Sequence, residues 1–264
     1  MSKEAAIREA TAAWFTPRPG DRAPAFVPEG ALPLGVDFDG MELLGFTAGS
    51  GDRTVLLVHG WGSTVGHMQA LVQPLVAAGL RVCGVDLPAH GASEGTETDM
   101  FELGRAVGAV AAAVGGVDIV IAHSIGAPAT VEAIRNGLDL DGVVFVAPGT
   151  RLQDAFDVFV ARAGLPEPVA AGVRSAIEHR FGDAVWEEAR MERAAVALDL
   201  PGLIVHDPAD GQAPIEPVRA VVATWPGARL VEVDGLGHNR ILRSPELIDA
   251  LIIPFVTELA VQRA

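Results

Sequence analysis

The chain has 264 residues, enough for one large domain, and it is 50% hydrophobic and 20% charged, as in a globular protein. Its formal net charge of −15 argues against nucleic acid and anionic membranes as partners, because both favour basic patches. The single cysteine, Cys83, excludes an internal disulfide. The first residues carry no apolar signal-peptide segment and no apolar run is long enough to span a bilayer, so we expect a soluble cytoplasmic protein.

Short apolar strands alternate with helix-length segments from about residue 54 onward, which is typical of a parallel sheet covered by helices on both faces. The sequence predicts strands at Thr54–Val58, Leu80–Asp86, Val117–Ala122, Gly142–Ala147, Leu203–His206 and Arg229–Asp234. It predicts helices near Gly66–Ala78, from Asp99, from Ile125, and at Pro217–Thr224 and Pro245–Leu259, with an antiparallel strand pair near Gly35–Phe46. We therefore expect a single α/β domain over residues 1–264 with a mostly parallel central sheet.

The segment from Pro148 to Leu198 interrupts this alternation, because it shows helical patterning and no strand. An insertion after the carboxyl end of a strand lies over the edge where open α/β sheets bind ligands. A peripheral decoration of the fold would leave its apolar side chains little to cover, so we favour a helical lid over residues 149–197. Three aromatic residues of the segment are predicted to contact substrate: Phe156, Phe159 and Trp186.

The most informative motif follows the strand Val117–Ala122, where the chain reads Ala122-His123-Ser124-Ile125-Gly126. A serine with a small residue two positions before and two positions after it is typical of a nucleophile elbow, a tight strand-to-helix turn. The small residues are needed because the backbone doubles back there; Ala122 occupies the position where glycine is usual. We interpret Ser124 as a nucleophile, the alternative being a plain strand that ends in a Ser-Gly turn.

A serine nucleophile needs a base to take its proton and an acid to orient that base. His238 lies between glycine and asparagine just after the strand that ends at Asp234, and this position predicts the base. Two candidates for the acid, Asp207 and Asp210, follow the strand Leu203–His206. We favour Asp210, because it lies further along the turn, where the backbone can aim its carboxylate at the histidine loop. Asp207 remains the alternative acid, although its position is more typical of a turn or cap residue.

Acyl transfer develops negative charge on an oxygen, which two preorganised backbone N–H groups must stabilise. Ile125 follows the nucleophile at the start of a helix and is the first predicted donor. Trp61 lies in the glycine turn His59-Gly60-Trp61-Gly62 after Thr54–Val58 and is the second. The Trp61 indole either contacts substrate in the acyl pocket or packs in the core, and we expect His59 to be a structural hydrogen-bonding residue.

In this order, these residues resemble those of the α/β-hydrolase superfamily, in particular its serine esterase and lipase-like branch with a short helical cap. The resemblance covers roughly residues 50–262 and rests on five elements: His59-Gly60-Trp61-Gly62, Asp86-Leu87-Pro88-Ala89-His90-Gly91-Ala92-Ser93, the elbow at Ser124, Asp210, and Gly237-His238. It implies that Ser124 attacks a carbonyl carbon while His238 removes its proton and Asp210 orients His238. The second element is structural in the family, so no chemistry is assigned to Asp86 or His90.

The expected function is hydrolysis of a small-molecule carboxylic ester with a small or medium apolar acyl group. Acyl transfer to another acceptor, carbon–carbon bond hydrolysis and perhydrolysis are alternatives with the same residues, and a non-catalytic ligand-binding protein is a further one. We expect no metal, because the other histidines lack metal-ligand spacing. We also expect no cofactor, because the sequence has no glycine-rich phosphate loop and no dinucleotide motif.

Overall fold

An eight-stranded sheet forms the centre of the fold in a computed structural model that describes residues 2–17 and 24–262. The strands are β1 (Leu32–Phe38), β2 (Met41–Ala48), β3 (Thr54–Val58), β4 (Arg81–Val85), β5 (Ile119–His123), β6 (Gly142–Val146), β7 (Gly202–His206) and β8 (Ala228–Glu232). Their order in the sheet is β1-β2-β4-β3-β5-β6-β7-β8. The pairs β1–β2 and β2–β4 are antiparallel and the others are parallel, which confirms the predicted α/β fold.

Helices precede, separate and follow these strands. They are α1 (Lys3–Phe15), α2 (Val72–Ala77), α3 (Met100–Ala113), α4 (Gly126–Arg135), α5 (Leu152–Ala163), α6 (Glu167–Phe181), α7 (Val185–Glu188), α8 (Met191–Ala195), α9 (Ile215–Thr224), α10 (Gly237–Arg240), α11 (Pro245–Leu247) and α12 (Ile253–Gln262). Short 3₁₀ helices span Val65–Leu71 and Ile241–Arg243, and a π-helical turn spans Ile248–Ile252. No helix in the two described ranges is long and apolar enough to cross a membrane.

Two apolar cores lie on opposite faces of the sheet, because successive side chains of a strand point to opposite sides. In β3, Leu56 packs with α3, α4 and α9, whereas its neighbour Leu57 packs with α2 and the C-terminal helices. All five residues of β3, β5, β6 and β7 are buried. Burial on both faces is the physical reason why these strands are continuously apolar in the sequence.

A third apolar cluster joins α1 to the helices between β6 and β7. The Ile7 side chain of α1 contacts the backbone of α6 at Gly172, where a β-carbon would collide with it. Helix α1 is not among the elements predicted from the sequence. The start of the helix is capped, since the Ser2 hydroxyl accepts a hydrogen bond from the Ala5 N–H at 3.2 Å. Its apolar face is buried only by packing against α6, which is distant in the sequence.

Candidate active site

The turn after β5 has the geometry of a nucleophile elbow. Ser124 adopts a left-handed conformation with φ of 54°, which is strained for a side chain other than glycine. Its N–H donates to the Val146 carbonyl of β6 at 3.2 Å, and its carbonyl accepts from the Ala127 N–H of α4 at 3.1 Å, so both elements hold the turn. A β-carbon at Gly126 would lie 2.6 Å from the Val58 carbonyl oxygen. This close approach to β3 is the reason why a glycine follows the serine by two positions.

Three side chains form one hydrogen-bonded chain at the carboxyl edge of the sheet. The Ser124 Oγ lies 3.0 Å from the His238 Nε2, and the His238 Nδ1 lies 2.6 Å from the Asp210 Oδ2. Burial raises the pKa of Asp210, but hydrogen bonds from His238 and from the Gln212 and Ala213 N–H groups outweigh it and hold the pKa below its ordinary value. The ionised carboxylate accepts the Nδ1–H, which leaves the Nε2 free to accept the serine proton.

Asp207 and Asp210 contact different parts of the histidine loop. The Asp207 Oδ2 accepts a hydrogen bond from the Gly237 N–H at 2.6 Å, and its Oδ1 accepts one from the Ala209 N–H at 2.8 Å. The hydrogen bond from Gly237 lowers the pKa of Asp207. Asp210 is therefore the carboxylate that contacts the imidazole of His238, and Asp207 binds the backbone one residue before it.

Trp61 and Ile125 line the same cavity as Ser124 and His238. Among the described residues, neither backbone N–H donates a hydrogen bond to another group of the protein. The turn that carries Trp61 is fixed by His59, whose Nδ1–H donates to the Gly60 carbonyl at 2.8 Å and whose Nε2 accepts from the Leu87 N–H at 2.9 Å. Two unengaged N–H groups beside a serine are the arrangement that an oxyanion requires.

Two further buried histidines bind the loops around the site, and the sequence analysis did not identify them. The His123 Nε2–H donates to the His238 carbonyl at 2.9 Å, and the His206 Nε2–H donates to the Ala213 carbonyl at 3.0 Å. Burial lowers the pKa of His59 and of His123 to about 4 and also lowers that of His206, which keeps them neutral near pH 7. A signal was present: a histidine ends or directly follows β3, β5 and β7.

A cavity of about 500 Å³ opens above Ser124. It is walled mainly by apolar side chains, among them Trp14, Phe15, Phe101, Leu152, Val158, Phe159 and Phe181. Phe159 thus lines the cavity, as expected for a substrate contact. Helix α1 contributes two further aromatic rings, Trp14 and Phe15, which were not predicted from the sequence. Within the described part of the chain, no group of three or more His, Cys, Asp and Glu residues is arranged to hold a metal ion.

Phe156 and Trp186, also expected to contact substrate, do not line this cavity. Both are buried among α1, α5 and α6, and their ring centroids lie 5.3 Å apart. Trp14 packs edge-on against Phe156 at 5.7 Å, and the guanidinium carbon of Arg174 lies 4.0 Å from the centre of the Trp186 ring. These two aromatic residues form the apolar interior of the helical segment, which explains why they are not available to a ligand.

The model of the Alpha/beta hydrolase family matches residues 55–251, whereas a comparison with curated protein sequences finds no match. The esterase Pf2001 from Pyrococcus furiosus aligns with a TM-score of 0.69 and 18% identity over 93% of this chain and 99% of its own. Est1E from Butyrivibrio proteoclasticus, solved with ferulic acid bound, aligns with a TM-score of 0.65 and 19% identity over 87% of this chain and 98% of its own. The esterase RhEst1 from Rhodococcus sp. ECU1013 aligns with a TM-score of 0.62 and 18% identity over 87% of this chain and 99% of its own. At these identities the structures share the fold, and the family match covers most of the sequence: this chain is a member of the alpha/beta hydrolase family, as its motifs predict.

Proposed function

We propose that the protein hydrolyses carboxylic esters with small or medium apolar acyl groups, with Ser124 as nucleophile, His238 as general base and acid, and Asp210 as the residue that orients the histidine. The observation that carries this proposal is the chain of two hydrogen bonds, 3.0 Å from Ser124 to His238 and 2.6 Å from His238 to Asp210. Both distances lie within the reach that proton transfer between such groups requires.

In the proposed reaction the Ser124 Oγ attacks the ester carbonyl carbon while its proton passes to the His238 Nε2. The negative charge moves to the carbonyl oxygen, where the Trp61 and Ile125 N–H groups donate to it. The tetrahedral species collapses, the carbon–oxygen bond to the alcohol breaks, and the Nε2 proton passes to the leaving alcohol. Water then attacks the acyl-enzyme with His238 again as base, which releases the carboxylic acid and restores the serine. Asp210 stabilises the imidazolium in both halves.

Two observations support an apolar acyl group. The cavity of about 500 Å³ above Ser124 is large enough for a small or medium acyl chain, and its walls are mostly aromatic and aliphatic. Residues 149–197 lie between β6 and β7 and contribute Leu152, Val158 and Phe159 to those walls, so we propose that this segment is the lid of the site.

Ester hydrolysis is preferred over other reactions of the same three residues because similar folds belong to proteins described as esterases, including those from Pyrococcus furiosus and Rhodococcus. Acyl transfer, carbon–carbon bond hydrolysis and perhydrolysis use the same nucleophile and differ in the group that leaves or attacks. Product analysis with a competing alcohol or with hydrogen peroxide present separates them from hydrolysis. A hydrolase yields the free carboxylic acid as the main product in either case.

A fluorophosphonate probe tests the nucleophile directly. We expect one adduct on Ser124, located by peptide mapping, and loss of both the adduct and p-nitrophenyl butyrate turnover in Ser124→Ala. The loss in kcat should be at least about 10⁴-fold, the scale for removing a triad nucleophile. Ser175→Ala, on the exposed face of α6, is the matched control and should react like the wild type. Undiminished turnover in Ser124→Ala would contradict the proposal.

A further inference from the structure

A second cavity, of about 450 Å³, meets the apolar cavity at Ser124. The two share Trp61, Ser124, Arg162, Gln212 and His238. Beyond them the second cavity is walled by polar residues, among them Asn239, Arg240 and Arg243, and we call it the polar lobe. The site therefore has a mainly apolar compartment and a more polar one, which meet at the proposed nucleophile and base.

The polar lobe is cationic in a strongly acidic protein. Arg162, Arg240 and Arg243 line it, and none of the described residues in its walls is an aspartate or a glutamate. Arginines elsewhere bind carboxylates, as Arg151 does with Glu192 at 2.7 Å. In contrast, no ion pair joins the three lobe arginines to a carboxylate within residues 2–17 and 24–262. The chain has a net charge of −15 and thus many acidic residues, yet no described carboxylate pairs with these three arginines, which leaves positive charge for a ligand.

One of these arginines is held in place by the histidine loop itself. The Arg240 Nε donates to the Leu236 carbonyl at 3.1 Å and its Nη2 donates to the Gly235 carbonyl at 2.7 Å. The carbonyl groups hold the guanidinium in place without cancelling its charge. The N–H groups of its Nη1 are left to donate to a ligand. A guanidinium held in this way suits the planar oxygens of a carboxylate or phosphate group.

The position of the lobe assigns it to one side of the ester. In the proposed mechanism the His238 Nε2 gives its proton to the leaving alcohol oxygen, so that oxygen must lie next to the imidazole. Asn239 and Arg240 follow His238 directly in the chain, Arg243 lies in the next turn, and all three line the lobe together with His238. The apolar cavity is left for the acyl group.

We propose that the substrate is an ester of an apolar acid with an alcohol that carries an anionic group, a carboxylate or a phosphate, bound by Arg162, Arg240 and Arg243. This inference rests on the proposed function and specifies its substrate class. It assigns the two compartments to the two halves of the ester: acyl chain in the apolar cavity, charged alcohol in the polar lobe.

Three matched butyrate esters test the proposal: those of 3-hydroxybenzoate, of 3-hydroxyphenyl phosphate, and of methyl 3-hydroxybenzoate, which is neutral. The readout is the ratio of kcat/KM for each anionic ester to that for the neutral ester, and the larger ratio identifies the preferred anion. We expect Arg162→Gln, Arg240→Gln and Arg243→Gln each to lower the ratio about threefold to fivefold, the effect of one exposed charge contact. Added salt should lower the wild-type ratio as well.

Arg229→Gln is the matched control, because Arg229 is an exposed arginine of β8 outside both cavities. It removes the same charge and should leave the ratio as in the wild type. A ratio that stays within about twofold in all three lobe variants, or falls equally in Arg229→Gln, overturns this inference while Ser124-dependent hydrolysis of the neutral ester stands. Turnover that persists in Ser124→Ala overturns the proposed function and this inference together.

Discussion

The Gly237 N–H donates to the Asp207 Oδ2 at 2.6 Å, while the next residue, His238, binds the Asp210 Oδ2 through its Nδ1 at 2.6 Å. Two carboxylates from the single loop after β7 thus hold one short segment of chain, one through its backbone and the other through its side chain. From the sequence, these two aspartates are alternatives for the single role of triad acid. Their contacts indicate two tasks: Asp207 positions the loop, and Asp210 orients the ring.

The two aspartates should respond differently to the same substitution. Asp210→Asn should lower kcat by about 10³–10⁴-fold, because an amide at this position can donate to Nδ1 and favour the wrong tautomer of His238. Asp207→Asn keeps an oxygen for the Gly237 N–H, so we expect a loss of about tenfold or less and a decrease of about 1 kcal/mol in the free energy of unfolding. Steady-state kinetics and urea titration measure both. Equal losses of kcat in the two variants would contradict the division of tasks.

His123 should act as a positioning residue through the His238 carbonyl that it binds. His123→Leu removes this donor, and we expect kcat to fall about tenfold with little change in KM, because misplacement of the imidazole affects proton transfer more than ester binding. His123→Gln retains an N–H donor and should recover part of the loss. His179→Leu, at an exposed histidine of α6, is the control. A rise in KM at constant kcat would point to a binding task instead.

The elbow depends on glycine at position 126 for steric reasons. Gly126→Ala should lower the free energy of unfolding by about 2–4 kcal/mol and abolish most activity, because the new methyl group meets the Val58 carbonyl oxygen at 2.6 Å. Gly108→Ala is a matched control, since its β-carbon in α3 would have no neighbour within 4 Å. It should raise the free energy of unfolding by about 0.5–1 kcal/mol through helix propensity. Thermal and urea unfolding of both variants give the comparison.

Acidification should destabilise the fold through the buried histidines. His59 and His123 have a pKa of about 4 in the folded protein, against an ordinary value of 6.5. Between pH 4 and pH 6.5 the unfolded chain therefore binds more protons than the folded protein. The contribution of these histidines to the free energy of unfolding is fully present above pH 6.5 and is lost as the pH falls toward 4. At pH 5, each histidine should lower the free energy of unfolding by about 2 kcal/mol relative to neutral pH. Urea titrations at pH 7, 6 and 5 measure this slope, which His123→Gln should reduce and His179→Gln should not. A constant free energy of unfolding from pH 7 to pH 5 would contradict a destabilising role of these histidines.

Aromatic residues near the site should separate into those that shape the cavity and those that support it. Trp14 lines the cavity, so Trp14→Ala should raise kcat/KM for p-nitrophenyl octanoate relative to the butyrate by about threefold to tenfold. Phe156 is buried next to it but outside the cavity, and Phe156→Ala should instead lower the free energy of unfolding by about 3 kcal/mol. A shift in chain-length preference in Phe156→Ala without loss of stability would reverse these assignments.

By itself, the sequence determined the features that arise from local physics. Strands buried on both faces must be continuously apolar, so β3 to β7 were predicted within a few residues of their observed bounds. A backbone that reverses tightly needs small residues around Ser124, which made the elbow recognisable. The joint role of Ser124, Asp210 and His238 follows from the resemblance to the α/β-hydrolase superfamily. They meet in the structure because β5, β7 and β8, which precede them, are parallel and end at one edge of the sheet.

Only the tertiary structure decided which partners the remaining residues have. Helix α1 is covered by α6, more than a hundred residues away in the chain, and no local pattern reveals that contact. Phe156, Phe159 and Trp186 are all aromatic, yet Phe159 alone lines the cavity. The other two are buried against each other, with ring centroids 5.3 Å apart. Hydrophobicity is a property of a residue type and can be read in order along the chain, whereas the identity of a neighbour depends on how distant segments pack against each other.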